Sequence, residues 1–112
     1  MTPIEYDREA LFQEIEQTLQ DNAVVVYMKG TADIPMCGFS GFVVQLLEHY
    51  NVPFKAINVL EDPLMRQAIK DYNNWPTIPQ IFVNGEFIVG CDIMKDMHTS
   101  GELKELFASI SA

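Results

Sequence analysis

The sequence predicts an α/β fold in which a four-stranded mixed sheet carries helices on both faces. Two features carry most of that prediction. The β-branched run Val24-Val25-Val26-Tyr27-Met28 is followed, after a long helical pattern, by a second strand-like segment from Phe54 to Val59, and so long a crossover implies parallel pairing. Asn84-Gly85 lies between two further short apolar runs and marks a hairpin, because a type I′ turn needs positive φ at both central residues.

The elements follow in order. From Glu5 to Gln20, Leu11, Phe12, Ile15 and Leu19 recur at helical spacing on a polar background. Val24 to Met28 is too short for most helices and reads as a buried strand ending at Lys29-Gly30. Residues 30–36 form a loop. After Ser40 the apolar positions Phe42, Val43, Leu46, Leu47 and Tyr50 return to helical period, so Cys37 sits at a strand–loop–helix junction. Asn51-Val52-Pro53 breaks that helix before the second strand. Asp62 as N-cap and Pro63 at the first helical position open a third helix, which runs out near Asn73-Asn74. Gln80 to Val83 and Glu86 to Val89 make the hairpin, and the remaining pattern to Ile110 is helical with a break near Ser100-Gly101. This order and pattern are thioredoxin-like.

The 112 residues suit one domain, with a core expected over about 5–110. Apolar residues make up 48% and charged residues 21%, so a real core can form. Seven Lys and Arg against sixteen Asp and Glu give a net charge of −9, which argues against nucleic-acid and anionic-membrane partners. No apolar stretch approaches the ~18 residues of a membrane span. Residues 1–21 carry six acids against the single Arg8, the opposite of a transit peptide. A cytoplasmic protein is expected, with an organelle matrix as the alternative if a presequence has been removed.

Cys37 and Cys91 are too few for a disulfide scaffold or a four-ligand zinc site within one chain. In Met36-Cys37-Gly38-Phe39-Ser40 the sulfur lies at a helix N-terminus, where free N–H groups and the helix dipole favour a thiolate. Gly38 lets backbone approach a ligand, and Phe39 is exposed by position. A small buried apolar cysteine is the alternative. Ser40 stands where a Cys-x-x-Cys protein has its second thiol, so Cys37 needs an external partner. Within Trp75-Pro76-Thr77-Ile78-Pro79, a cis Pro79 would turn the Ile78 backbone toward a peptide-like ligand, while an ordinary edge proline is the alternative. Gly90-Cys91-Asp92 offers N–H groups to a carboxylate and Asp92 to an ammonium, and Asp92 equally suits a plain N-cap. Lys29 and Arg66 are either solvated cations or anion contacts. His49 and His98 have no ligand spacing to either cysteine and are read as solvated helix surface.

Taken together, Lys29-Gly30, Cys37-Gly38-Phe39-Ser40, Trp75-Pro76-Thr77-Ile78-Pro79-Gln80, Asn84-Gly85-Glu86-Phe87 and Gly90-Cys91-Asp92-Ile93 closely resemble the monothiol, CGFS-type glutaredoxins. The resemblance implies a thioredoxin fold and a glutathione site. In it Lys29 and Arg66 hold the glycine carboxylate, Ile78 pairs with the tripeptide backbone, and the Cys91 main chain and Asp92 receive the γ-glutamyl end. Gly38, Phe39, Thr77, Pro79 and Gly90 form the walls. Cys37 is then both the reactive thiol and the iron ligand of a [2Fe-2S] cluster shared by a homodimer that is monomeric without it; two chains and two glutathiones supply the four thiolates. The implied role is cluster assembly and transfer, with apo iron–sulfur clients and a BolA-like protein as partners. The alternative is a glutathione-dependent thiol–disulfide oxidoreductase that uses Cys37 by a monothiol route. One departure stands out: the family usually has Gly-Gly before Cys-Asp, and this chain has Val89-Gly90. A β-branched residue avoids positive φ, so Val89 is expected to lengthen the last strand and leave the turn to Gly90.

Overall fold

The centre of the sheet is β1 (Val24–Met28), every residue of which is buried. The reason is its position: β2 (Lys55–Asn58) pairs with it in parallel, with Val25 opposite Lys55, and β3 (Gln80–Val83) pairs antiparallel on its other side, with Val24 opposite Val83. β4 (Glu86–Ile88) follows β3 across the hairpin and completes the order β2-β1-β3-β4. Asn84 and Gly85 take φ of 52° and 81°, as the type I′ turn requires. The structure, a computed structural model, describes residues 6–88, 91–108 and 110, and of Cys91 and Asp92 the backbone only.

A strand covered on both faces needs two helical layers, and the sequence supplies them. Val25, Tyr27 and Phe82 pack against Ile15 and Leu19 of α1 (Arg8–Asp21) and Met65, Ala68 and Ile69 of α3 (Pro63–Asn73). On the opposite face Val24, Val26, Met28, Ile81 and Val83 meet Val43, Val44 and Leu47 of α2 (Gly38–His49). Met94 of α4 (Cys91–Ser100) and Leu103 and Phe107 of α5 (Glu102–Ala108) join that second cluster. The period-2 alternation of strand side chains thus assigns each residue of β1 to one core or the other.

Most element ends match the sequence pattern. The Asp62 side chain accepts from the Met65 N–H with Pro63 at the first helical position, and Gly101 at φ 89° separates α4 from α5. The observed α2 begins earlier than its apolar period, at Gly38, because Cys37 is its N-cap. Val89 and Gly90, and with them the expectation that Val89 extends the last strand, lie outside the described residues.

Candidate functional site

Cys37 has extended backbone, φ −152° and ψ 155°, and its sulfur accepts the Ser40 N–H at 3.3 Å. A serine or aspartate oxygen usually fills that N-cap role; here the Cys37 sulfur does. Ser40 is fully buried, and its hydroxyl oxygen accepts the Lys29 N–H at 3.2 Å. The Cys37 thiol donates to the same hydroxyl oxygen, 3.2 Å away, and once the thiol ionises the hydroxyl can donate back to the sulfur. Burial raises the Cys37 pKa, but the Ser40 hydroxyl, the N–H groups of Ser40 and Phe39 and the charge of Lys29 together outweigh it, so the thiol is held below its ordinary value. The environment thus shifts Cys37 toward the thiolate, the direction the helix N-terminus predicts.

The loop that delivers Cys37 is ordered by its own backbone. Met36 N–H donates to the Lys29 carbonyl at 2.8 Å and Thr31 N–H to the Ile34 carbonyl at 3.1 Å. Gly30, at φ 91°, permits this close return: a Cβ there would lie 2.6 Å from the Met36 nitrogen. Gly38 is different, since a Cβ on it would meet nothing within 4 Å. No neighbour among the described residues requires glycine at position 38. Ile34, Met36 and Phe39, on the loop and first helical turn that flank Cys37, are 67%, 62% and 63% exposed, an apolar rim open to solvent. Phe39 is thus as open as its position predicts.

The Ile78–Pro79 bond is cis. β3 pairs antiparallel with β1 through Tyr27 opposite Gln80, and the same register carried on brings the Ile78–Pro79 step to the end of β1 at Lys29. Lys29, Cys37 and the Thr77–Pro79 segment therefore gather at one end of the sheet. Arg66 is partly exposed near the start of α3, its N–H donating to the Asp62 carbonyl. Gly90 and the side chains of Cys91 and Asp92 lie outside the description, so their expected roles carry over as proposals. A surface cleft lined by Glu16, Leu19, Tyr72 and Asn84 lies at the opposite end of the sheet and holds none of the candidate residues.

Two structural residues escape the sequence reading. Asn58 accepts both the Gly30 and the Leu60 N–H at 3.0 Å, tying the cysteine loop to the segment that leads into α3. Gln80 is buried at the start of β3, and its side chain bonds Asn73, Trp75 and Thr77. A polar amide opening an otherwise apolar central strand was the available signal. His49 and His98 are exposed as expected, yet the fold brings their rings to 5.6 Å, with Tyr50 hydroxyl bonded to His98 Nδ1.

Among the described residues no group of three or more His, Cys, Asp or Glu could hold a metal ion, and no helix is long and apolar enough to cross a membrane. Among the described side chains Cys37 is the one cysteine, and a single thiol fits a metal–sulfur group only if the other ligands come from elsewhere.

Comparison with known proteins gives the family. The family described as Glutaredoxin matches residues 24–88. A monothiol glutaredoxin ycf64-like protein of Synechocystis is 52% identical over 92 residues, covering 82% of this chain and 86% of that one. Monothiol glutaredoxin-S14, chloroplastic, of Arabidopsis thaliana is 50% identical over 91 residues, 81% of this chain but 53% of its own, so this chain spans about half that relative's length. The solution structure of reduced poplar apo GrxS14 superposes with a TM-score of 0.78 at 45% identity, covering 88% of this chain and 91% of that one. With Cys37-Gly38-Phe39-Ser40 at the head of α2 and a cis proline opposite, the chain belongs to the glutaredoxin family, among its monothiol members.

Proposed function

We propose that this protein is an iron–sulfur cluster carrier, a single glutaredoxin domain over residues 1–112 that binds glutathione and, as a homodimer, takes up [2Fe-2S] cargo. The observation that carries the reading is the half-buried Cys37 thiol at the head of α2, its pKa lowered: Ser40 stands where a second thiol would be, and among the described residues no further ligand cluster exists. One chain supplies one iron ligand. Two chains and two glutathiones supply four, and because glutathione is not covalently attached, two of those ligands can leave when an acceptor arrives.

In this reading Lys29 and Arg66 hold the glycine carboxylate of glutathione, the Ile78 backbone pairs with its peptide, and Cys91 N–H and Asp92 receive the γ-glutamyl end. Gly38, Phe39, Thr77, Pro79 and Gly90 wall the site. The open space over Gly38 leaves backbone accessible to the tripeptide, and the apolar rim of Ile34, Met36 and Phe39 suits exclusion of water from the cargo. The cargo-free chain is a monomer, and its proposed partners are apo iron–sulfur clients and a BolA-like protein. The proposed location is the cytoplasm; the chloroplastic relative makes an organelle matrix the alternative.

The lowered Cys37 pKa favours a second reading, thiol–disulfide exchange. The Cys37 thiolate would attack the glutathione sulfur of a glutathionylated protein, releasing that protein's thiolate. Free glutathione thiolate would then attack the mixed disulfide, leaving glutathione disulfide and regenerating Cys37.

The deciding experiment loads the protein anaerobically with iron, sulfide and glutathione and mixes it with an apo [2Fe-2S] ferredoxin. Transfer of the visible absorption to the ferredoxin supports the carrier. A protein that takes up no cluster yet rapidly deglutathionylates a model substrate overturns that reading in favour of the oxidoreductase.

A further inference from the structure

Among the described residues, and setting aside the Tyr27 phenol, the polar side chains buried from solvent are Ser40 and Gln80. Burying an amide costs free energy unless its hydrogen bonds are made, and an aliphatic residue at the start of a central strand would carry no such cost. Ser40 serves the thiolate. Gln80 makes three bonds: its Nε2 donates to the Trp75 carbonyl at 3.1 Å and the Thr77 carbonyl at 3.2 Å, and its Oε1 accepts from Asn73 Nδ2 at 3.2 Å. One buried amide therefore ties the end of α3 to both sides of Pro76.

The bond to Thr77 has a consequence for its neighbour. Thr77 C=O and Ile78 N–H belong to one peptide plane, and among the described residues only the Ile78–Pro79 bond is cis. In a trans peptide the carbonyl and the following N–H point in opposite directions. Holding the Thr77 carbonyl inward on Gln80 therefore turns the Ile78 N–H outward, away from the core. We propose that Gln80 is a positioning residue that aims the Ile78 N–H at the peptide backbone of bound glutathione. The inference rests on the glutathione site of the preceding reading.

The test is the equilibrium of the full chain with glutathione disulfide, in which the Cys37 thiol and the disulfide exchange to a Cys37–glutathione mixed disulfide and free glutathione. Intact mass and peptide mapping read the ratio. Contacts to the attached tripeptide should place the wild-type constant well above that of an unstructured peptide carrying Met-Cys-Gly-Phe. Gln80→Met, of similar size but without donors, should lower it about 2- to 12-fold, the effect of misdirecting one neutral hydrogen bond. Ile81→Val, a neighbouring core truncation, controls for lost stability and should leave the constant unchanged. A wild-type constant equal to the peptide's overturns the glutathione site, and this inference with it. A raised wild-type constant that Gln80→Met leaves unchanged overturns the role of Gln80 alone. Wild-type protein supplies an independent check: amide exchange of Ile78 should slow when Cys37 is glutathionylated, and unchanged exchange would refute the proposal even if Gln80→Met does not fold.

Discussion

Gly30→Ala and Gly38→Ala should have opposite effects on stability, although both glycines flank the same loop. At Gly30 the backbone sits at φ 91°, where an L-residue incurs roughly 1–2 kcal/mol. The new Cβ would also press on the Ile34 carbonyl and lie 2.6 Å from the Met36 nitrogen, both backbone atoms that cannot rotate away. Relief requires opening the loop and losing the Met36-to-Lys29 or Thr31-to-Ile34 bond, each contributing about 0.5–1.5 kcal/mol. The expected loss is about 1.5–3.5 kcal/mol, a large share of the ~5–15 kcal/mol available to a typical domain. Gly38 is the first residue of α2, its φ is not positive and its Cβ would enter open space, so alanine there should stabilise by up to about 1 kcal/mol. Urea denaturation of the reduced proteins, compared at constant m-value, measures both. A Gly30→Ala midpoint equal to wild type, or a Gly38→Ala variant that is clearly destabilised, would refute the reasoning. A Gly38→Ala protein that is more stable yet binds glutathione less well would show that position 38 answers to the ligand rather than to the fold.

Ser40→Ala should move the pH midpoint of Cys37 alkylation upward, because it removes the hydroxyl that favours the thiolate; an unchanged midpoint would mean the Ser40 hydroxyl does not reach the sulfur. The linked stability has a defined sign: with the folded pKa lowered, the thiolate's contribution is fully present above the unfolded thiol's pKa and is lost as pH falls through the folded value. Lys29→Glu should weaken glutathione about 10- to 150-fold, from a charge-assisted bond of roughly 1.5–3 kcal/mol, with partial exposure favouring the lower end. Lys104→Glu, at an exposed position of α5, changes net charge equally and should have little effect by calorimetry in moderate salt. Cys91→Ser keeps the backbone N–H proposed to bind the γ-glutamyl group and should retain most of the cluster's visible absorption; complete loss would make the Cys91 sulfur a ligand.

Features governed by local chemistry were legible in the sequence. Val24 to Met28 could only be a buried strand, Asp62-Pro63 could only open a helix cleanly, and Asn84-Gly85 carried its own turn geometry. Cys37 was legible for the same reason, since a helix start acts on the residue that caps it. The supports of the site were harder to read. Asn58 meets Gly30 only when β2 pairs with β1, and Gln80 meets Asn73, Trp75 and Thr77 only when the segment after α3 folds back over the start of β3. Residues 30–36 read only as a loop, whereas they are closed by bonds between Lys29 and Met36 and between Thr31 and Ile34. His49 and His98 lie 49 positions apart and meet because α2 and α4 share one face of the sheet.

Native mass spectrometry of the anaerobically reconstituted protein tests most directly whether the cargo is held by two Cys37 thiolates and two glutathiones. A species with the mass of two chains, one [2Fe-2S] unit and two glutathiones, absent from Cys37→Ser prepared in parallel, is the predicted result. A cluster on a single chain, a dimeric cluster species without glutathione, or the same species in Cys37→Ser would contradict the account.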